Sequence, residues 1–186
     1  DRREMARIFT RLLTTVAIVS VPMVLGLAVV APEFVSVALG DRWTAAIRPL
    51  QLLCLLNAAR VISILAAPVL QTSGDVRFQV VTTLIGLVYM PVLFYLGSQA
   101  DGINGVAAAW LLGYPPLLLA IAHRTTKRLG LVWQDLAVSL APAFVAGAVM
   151  VLVIFGIRHQ LVQHVSATIS LPVTIVIGMC VYLATL

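Results

Sequence analysis

Six long apolar segments, separated by short polar loops, constrain the fold of this chain more than any other feature. Each is long enough to cross the hydrocarbon core of a bilayer as an α-helix, which takes roughly 20 residues. Stretches such as 16–31 and 137–157 contain no charged side chain. Of the 186 residues, 61% are hydrophobic and 10% are charged, and a water-soluble fold of this length could not bury so much apolar surface. The sequence therefore predicts an all-α integral membrane protein.

The predicted transmembrane helices form one domain of about six spans. We place them at residues 11–31, 45–72, 77–97, 103–123, 135–156 and 167–186. A short amphipathic turn over Glu33 to Leu39 is expected at the membrane face between the first two spans. The chain opens abruptly, with neither a methionine nor a signal-peptide pattern, so we expect a piece of a longer protein whose N-terminal part is missing.

Lys and Arg are distributed unevenly between alternate loops, and this predicts the orientation of the chain. Eight of the twelve basic residues precede the first span, follow the second span or follow the fourth span. Since positively charged loops remain in the cytoplasm, the N-terminus of this chain is predicted to be cytoplasmic.

Composition and motifs argue against nucleic-acid binding, metal binding and catalysis. The basic residues are scattered between apolar spans, so no nucleic-acid-binding stripe is formed. Cys54 and Cys180 lie inside apolar segments with no second Cys or His at metal spacing, and no cofactor is expected. The seven acidic residues lie in loops or at span ends, which leaves no buried carboxylate pair for acid–base catalysis. We predict that the chain is not an enzyme.

The predicted spans contain many glycines and prolines, and two explanations remain open. Proline bends a helix and leaves one backbone carbonyl without its usual donor, and such bends are common in helices that line a cavity. Glycine and proline are also simply more frequent in membrane helices than in soluble ones.

Arg60, near the middle of the second predicted span, is the most informative single residue. An arginine at this depth costs about 2.5–3.5 kcal/mol on insertion scales, so it is not expected to face lipid. On a helical projection Asn57, Ser63 and Gln71 fall within about 60° of Arg60, while Gln51 points away. We predict that Arg60, Asn57, Ser63 and Gln71 line a water-filled cavity. In this cavity Arg60 would attract a phosphate or pyrophosphate. The alternative is an arginine paired with a carboxylate or with backbone carbonyls of another helix.

Four segments, in order, resemble the polysaccharide branch of the MOP exporter superfamily, the Wzx-like flippases. LGDRWTAAIRPLQLL, at 39–53, has the glycine, acid, base and tryptophan that precede an apolar helix in this family. VPMVLGLAVVAPEFVSVALGDRW, at 21–43, resembles the preceding proline-containing helix. PVLQTSGDVRFQ, at 68–79, and GINGVAAAWLLGY, at 102–114, resemble a later helix end and helix start. Each segment alone is weak evidence, and only the four segments in this order are specific to the family.

The resemblance implies a fold and a function for the chain. It implies most of the second lobe of a two-lobe transporter, with the first lobe and the opening helices of the second absent. It further implies flipping of undecaprenyl-pyrophosphate-linked oligosaccharides across the bacterial inner membrane by alternating access. The expected partners are this lipid-linked substrate, membrane lipid and the missing lobe. The alternatives are another MOP exporter, for multidrug efflux or lipid II, a membrane glycosyltransferase or polymerase, and a structural domain without transport activity.

Overall fold

The computed structural model describes residues 2–161 and 167–186, and every regular element within them is helical. The elements are helix α1 (Arg2–Ala38), a 3-10 helix (Asp41–Ala46), α2 (Ile47–Thr72), α3 (Val76–Leu129), α4 (Trp133–Leu161) and α5 (Ala167–Thr185). The predicted all-α membrane fold is confirmed.

Four of the described helical segments are long and apolar enough to cross a membrane, judged by length and composition. They are Arg2–Ala38, Asp41–Thr72, Val76–Leu129 and Trp133–Ile157, and Ser170–Thr185 is a shorter apolar helix. The six predicted spans fall on these helices. Their bounds as membrane crossings stay a prediction.

Helix α3 is a hairpin of two antiparallel arms rather than one straight rod. Its backbone leaves the helical conformation at Asp101 (φ −151°, ψ 36°) and Gly102 (φ 51°, ψ −128°). Gly102 has the positive φ that glycine adopts without steric cost, which permits a sharp reversal. The rings of Phe94 and Trp110, one on each arm, stack with centroids 5.2 Å apart. Each arm has about 25 residues and is roughly 37 Å long, which is enough to cross the hydrocarbon core.

Helix α1 packs against α2, α4 and α5 and contributes the centre of the core. Leu13, Ala17 and Val21 are completely buried in a cluster that also includes Ala143 of α4. Gly147 of α4 allows this close packing, since a methyl group at this position would lie 2.9 Å from Leu25. A second cluster joins α4 and α5 through Met150, Ile154 and Tyr182, among others.

Two prolines inside α1 release backbone carbonyls that side chains of other helices then bind. Proline cannot donate to the carbonyl four residues earlier, so Pro22 releases that of Ile18 and Pro32 that of Ala28. The Tyr182 hydroxyl of α5 donates to Ile18 O at 2.8 Å. The Gln51 side-chain amide of α2 donates to Ala28 O at 3.0 Å. These two prolines therefore serve helix packing, because an unpaired carbonyl is costly in lipid.

The predicted amphipathic turn over Glu33 to Leu39 is wrong, because α1 continues to Ala38. The Gln51 hydrogen bond compensates for the donor that Pro32 lacks, and the side chain of Val35 is fully buried. The reversal occurs instead at Gly40, whose φ of 83° is positive.

Three chain segments meet at one end of the bundle, which we call the basic end. It comprises Arg2 at the start of α1, Asp75 between α2 and α3, and Arg124, Lys127 and Arg128 at the end of α3. Arg2 donates to Lys127 O at 2.6 Å, and Arg124 pairs with Asp75 at 2.9 Å. The loops that the distribution of Lys and Arg predicts to be on one side of the membrane therefore lie at one end of the structure.

Candidate functional site

Arg60 lies close to the middle of α2, thirteen residues after its first residue and twelve before its last. Its guanidinium carbon lies 5.0 Å from the centroid of the Tyr114 ring, which belongs to the second arm of α3. The Arg60 Nε is buried and has no hydrogen-bond partner. No carboxylate in the described part of the chain forms an ion pair with Arg60. The arginine is thus held by an aromatic face, and part of its hydrogen-bonding capacity is unused.

A cavity of about 290 Å³ lies between α2 and the two arms of α3, and Arg60 forms part of its wall. The polar lining residues come from all three helical segments, and they are Arg60, Ser63, Gln79, Thr82, Thr83, Trp110 and Tyr114. Apolar side chains such as Leu70 and Met90 complete the wall. The cavity therefore combines a cation and several hydroxyl and amide groups with an apolar surface.

Aromatic rings order one wall of this cavity. Trp110 stacks between Phe94 and Tyr114, with centroid distances of 5.2 Å and 6.4 Å and rings within 7° of parallel. The Tyr114 hydroxyl donates to the Ser63 Oγ at 3.2 Å, which links the α3 hairpin to α2. Because the Tyr114 ring is held from both sides, it fixes the position of the Arg60 guanidinium beside it.

The structure brings only part of the predicted site together. Arg60 and Ser63 line the same cavity. Asn57 is exposed, donates to Leu53 O at 2.8 Å and does not line this cavity. Gln71 is also exposed and lies outside the cavity lining. Asn57 and Ser63 flank Arg60 on opposite sides, about 120° apart on the helix, so one neighbouring element cannot cover both. A substrate role for any of the four stays a prediction.

Sequence reasoning missed the contribution of α3 to this cavity. Tyr114 and Trp110 lie within the GINGVAAAWLLGY segment, and Gln79 and Thr82 lie near the start of α3. Periodicity identifies neighbours along one helix, whereas these residues reach Arg60 only because the hairpin packs against α2. A polar face on the first arm, formed by Gln79, Thr82 and Thr83, is the one signal that could have indicated them.

A second polar cluster, also missed, lies at the basic end. Asp75 is buried, and each of its carboxylate oxygens accepts hydrogen bonds from both Arg124 and Arg128. These hydrogen bonds hold the pKa of Asp75 well below its usual range, and the bond to Asp75 raises the pKa of Arg128. The cluster fixes the turn after α2 to the far end of the hairpin.

The described residues contain no group of three or more His, Cys, Asp or Glu side chains that could hold a metal ion. What the arrangement around Arg60 offers chemically is a partly desolvated guanidinium beside hydroxyl donors. Such a set suits the binding of a phosphate-type anion, whose oxygens accept several charge-assisted hydrogen bonds.

Comparisons with known proteins point to polysaccharide biosynthesis. Residues 1–48 match the model of a family described as polysaccharide biosynthesis protein. The chain is 32% identical over 117 residues to a protein of Klebsiella pneumoniae described as an uncharacterized membrane protein in the cps region. It has the same identity over the same length to the lipopolysaccharide biosynthesis protein WzxC of Escherichia coli K12.

Each alignment covers 60% of this chain and 23% of the relative, so the chain spans about a quarter of the length of the curated relatives it matches. No solved structure matches the chain. The apolar helices and the membrane-protein relatives together identify a multi-pass membrane protein. The chain is therefore similar to bacterial membrane proteins of polysaccharide biosynthesis, and this similarity bears out its resemblance to the polysaccharide flippases.

Proposed function

We propose that this chain forms most of one lobe of a transporter that flips lipid-linked oligosaccharides across the bacterial inner membrane. The other lobe would belong to the rest of a longer protein, and the two lobes would rock against each other to alternate access. The substrate would be an oligosaccharide on undecaprenyl pyrophosphate. The chain would move this substrate without changing its bonds, as a transporter and not as an enzyme.

The observation that carries this proposal is the environment of Arg60. A partly buried guanidinium in a membrane helix is costly, and here no carboxylate of the described residues offsets that cost. Its Nε lacks a partner and the residue forms part of a cavity wall. A pyrophosphate in that cavity would supply both the missing negative charge and the missing hydrogen-bond acceptors.

The rest of the cavity suits the remaining parts of such a substrate. Sugar hydroxyl groups need hydrogen-bond partners once they leave water, and Gln79 and Thr83 provide them. The apolar side chains of Leu70 and Met90 in the cavity wall are available to the apolar faces of sugar rings. The cavity of about 290 Å³ is small for an oligosaccharide, which fits a site completed by a second lobe.

The test is complementation of a strain that lacks its own polysaccharide flippase, using the full protein. Arg60→Ala should reduce surface polysaccharide by about tenfold or more and should cause lipid-linked repeat units to accumulate, since the anion loses a charge-assisted partner. Arg60→Lys should retain part of the activity, because the charge remains while the planar fork of donors is lost.

Arg48→Ala is the matched control, because Arg48 is an exposed arginine at the start of the same helix. This variant should export normally. Equal export by Arg60→Ala and the parent, at equal amounts of protein in the membrane, would refute the proposal.

A further inference from the structure

The basic end contains a second cavity that shares no residue with the one at Arg60. It has a volume of about 480 Å³ and is lined by Arg2, Ser73, Arg124, Lys127 and Arg128. These residues come from the start of α1, the turn after α2 and the end of α3. The fold thus gathers four cations and one hydroxyl around one space at the end of the apolar helices.

The positive charge of this cavity is only partly neutralised by the acidic groups of the described residues. Among the described residues, Asp75 is the one acidic partner of Arg124 and Arg128, and both of its oxygens already accept hydrogen bonds from these two arginines. One carboxylate against four cations leaves an excess of three positive charges. The cluster is therefore organised by Asp75 without being neutralised by it.

Several donors in this cavity remain available. Arg2 uses one terminal nitrogen to donate to Lys127 O. The Lys127 ammonium and the Ser73 hydroxyl form no hydrogen bond or ion pair with any described residue. Lysine near a helix C-terminus is favourable in its own right, which explains why a cation occurs at the end of α3. It does not explain why unpartnered donors from three separate segments converge on one cavity.

We infer that this cavity binds a phosphate group, either in the headgroup of an anionic lipid or as a soluble phosphate compound. Guanidinium and ammonium donors together with a hydroxyl form the set that binds a phosphate with several charge-assisted hydrogen bonds. The position at the ends of apolar helices places it where headgroup phosphates lie. This phosphate site is separate from the Arg60 cavity and has no part in the proposed function.

The test measures thermal unfolding of the full protein in a neutral detergent during titration with dihexanoyl-phosphatidylglycerol. Dihexanoyl-phosphatidylcholine and inorganic phosphate are titrated in parallel. Phosphatidylglycerol should raise the unfolding midpoint and phosphatidylcholine should not. A rise with inorganic phosphate at the same concentrations would identify a soluble phosphate as the ligand, and its absence would identify the lipid headgroup.

The variant Arg2→Gln/Lys127→Gln should bind phosphatidylglycerol about thirtyfold more weakly, which is the factor for two basic residues near an anionic surface. Arg42→Gln/Arg48→Gln removes the same charge from exposed positions near the start of α2 and should bind like the parent. Lys127→Gln alone removes a side chain that has no partner among the described residues, so it separates binding from folding. No response to either phosphate probe, or equal binding by the double variant and the parent, would overturn the inference. This experiment measures lipid binding and not export. A negative result would therefore refute the phosphate site and leave the proposed function untouched.

Discussion

At the scale of single residues, membrane helices tolerate proline only where another group replaces the missing donor. Tyr182 does this for Pro22 and Gln51 does it for Pro32, each from a different helix. Neither pairing could be predicted from the sequence, because many polar side chains could reach a released carbonyl and the choice depends on packing. The locations of the released carbonyls, by contrast, follow directly from the positions of the prolines.

Tyr182→Phe removes the hydroxyl that donates to Ile18 O and nothing else. We expect a loss of about 1 kcal/mol in the free energy of unfolding, measured in detergent micelles. Tyr95→Phe is the control, because Tyr95 is 66% exposed. In a Pro22→Ala background the backbone donor returns, and the loss caused by Tyr182→Phe should shrink. An equal loss in both backgrounds would contradict the role given to Pro22.

Asp75→Asn should destabilise the basic end, because two arginines lose their shared carboxylate. The pKa of Asp75 is lowered by folding, so its contribution is complete well above its unfolded value of 3.8 and is lost as the pH falls through the folded value. The stability difference between parent and variant should therefore be constant from pH 5 to 8 and should decrease only in stronger acid. Asp41→Asn, at an exposed acid, should have little effect. A difference that changes between pH 5 and 8 would rule out this linkage.

At the scale of elements, the α3 hairpin shows what the sequence could and could not predict. Apolar length alone predicts two helices around the Asp101–Gly102 turn, and both are present as arms. The distance between the arms could not be predicted in this way, since it depends on which small residues face each other. Gly97 and Gly105 do so, and a methyl group on either would overlap the backbone of the other.

Gly97→Ala should therefore separate the two arms locally and destabilise the protein by about 1–3 kcal/mol, the usual cost of overpacking. Gly156→Ala is the matched control, because nothing lies within 4 Å of a methyl group at that helical position. The control should be neutral or slightly stabilising, since alanine is the better helix former. Unfolding of both variants in detergent provides the measurement, and equal stabilities would disprove the close contact.

The residues of the candidate site that lie on α2 could be predicted in part from the sequence, whereas those contributed by neighbouring helices could not. Arg60 was identifiable because a cation at that depth is costly in any fold. Ser63 followed from helical periodicity, but Asn57 and Gln71 share that periodicity and lie outside the cavity. Tyr114 could not be found, because its contact with Arg60 depends on the angle between α2 and the hairpin.

At the scale of the whole molecule, the basic end and the hairpin turn lie at opposite ends of the α3 arms. The distribution of Lys and Arg predicts that the basic end is cytoplasmic. We test this in intact cells with single cysteines in a Cys54→Ala/Cys180→Ala background. A membrane-impermeant maleimide should label Asp101→Cys, at the exposed hairpin turn, and not Val132→Cys, at the exposed turn after α3. The reverse pattern would show that the basic end faces outward. If neither cysteine is labelled in lysed cells, the variants are misfolded.

The hydrogen bond between Tyr182 and Ile18 also affects the order in which the molecule can be completed during synthesis. Its partners are 164 residues apart, whereas Gln51 follows Ala28 by 23 residues. At about 5–20 residues per second, Gln51 is synthesised within about 5 s of Ala28, but Tyr182 follows Ile18 by roughly 8–33 s. For that interval α1 has a carbonyl that only the last described helix will bind. Ribosomes stalled before α5 should therefore leave a bundle whose first helix remains open to proteolysis or to competing polar partners.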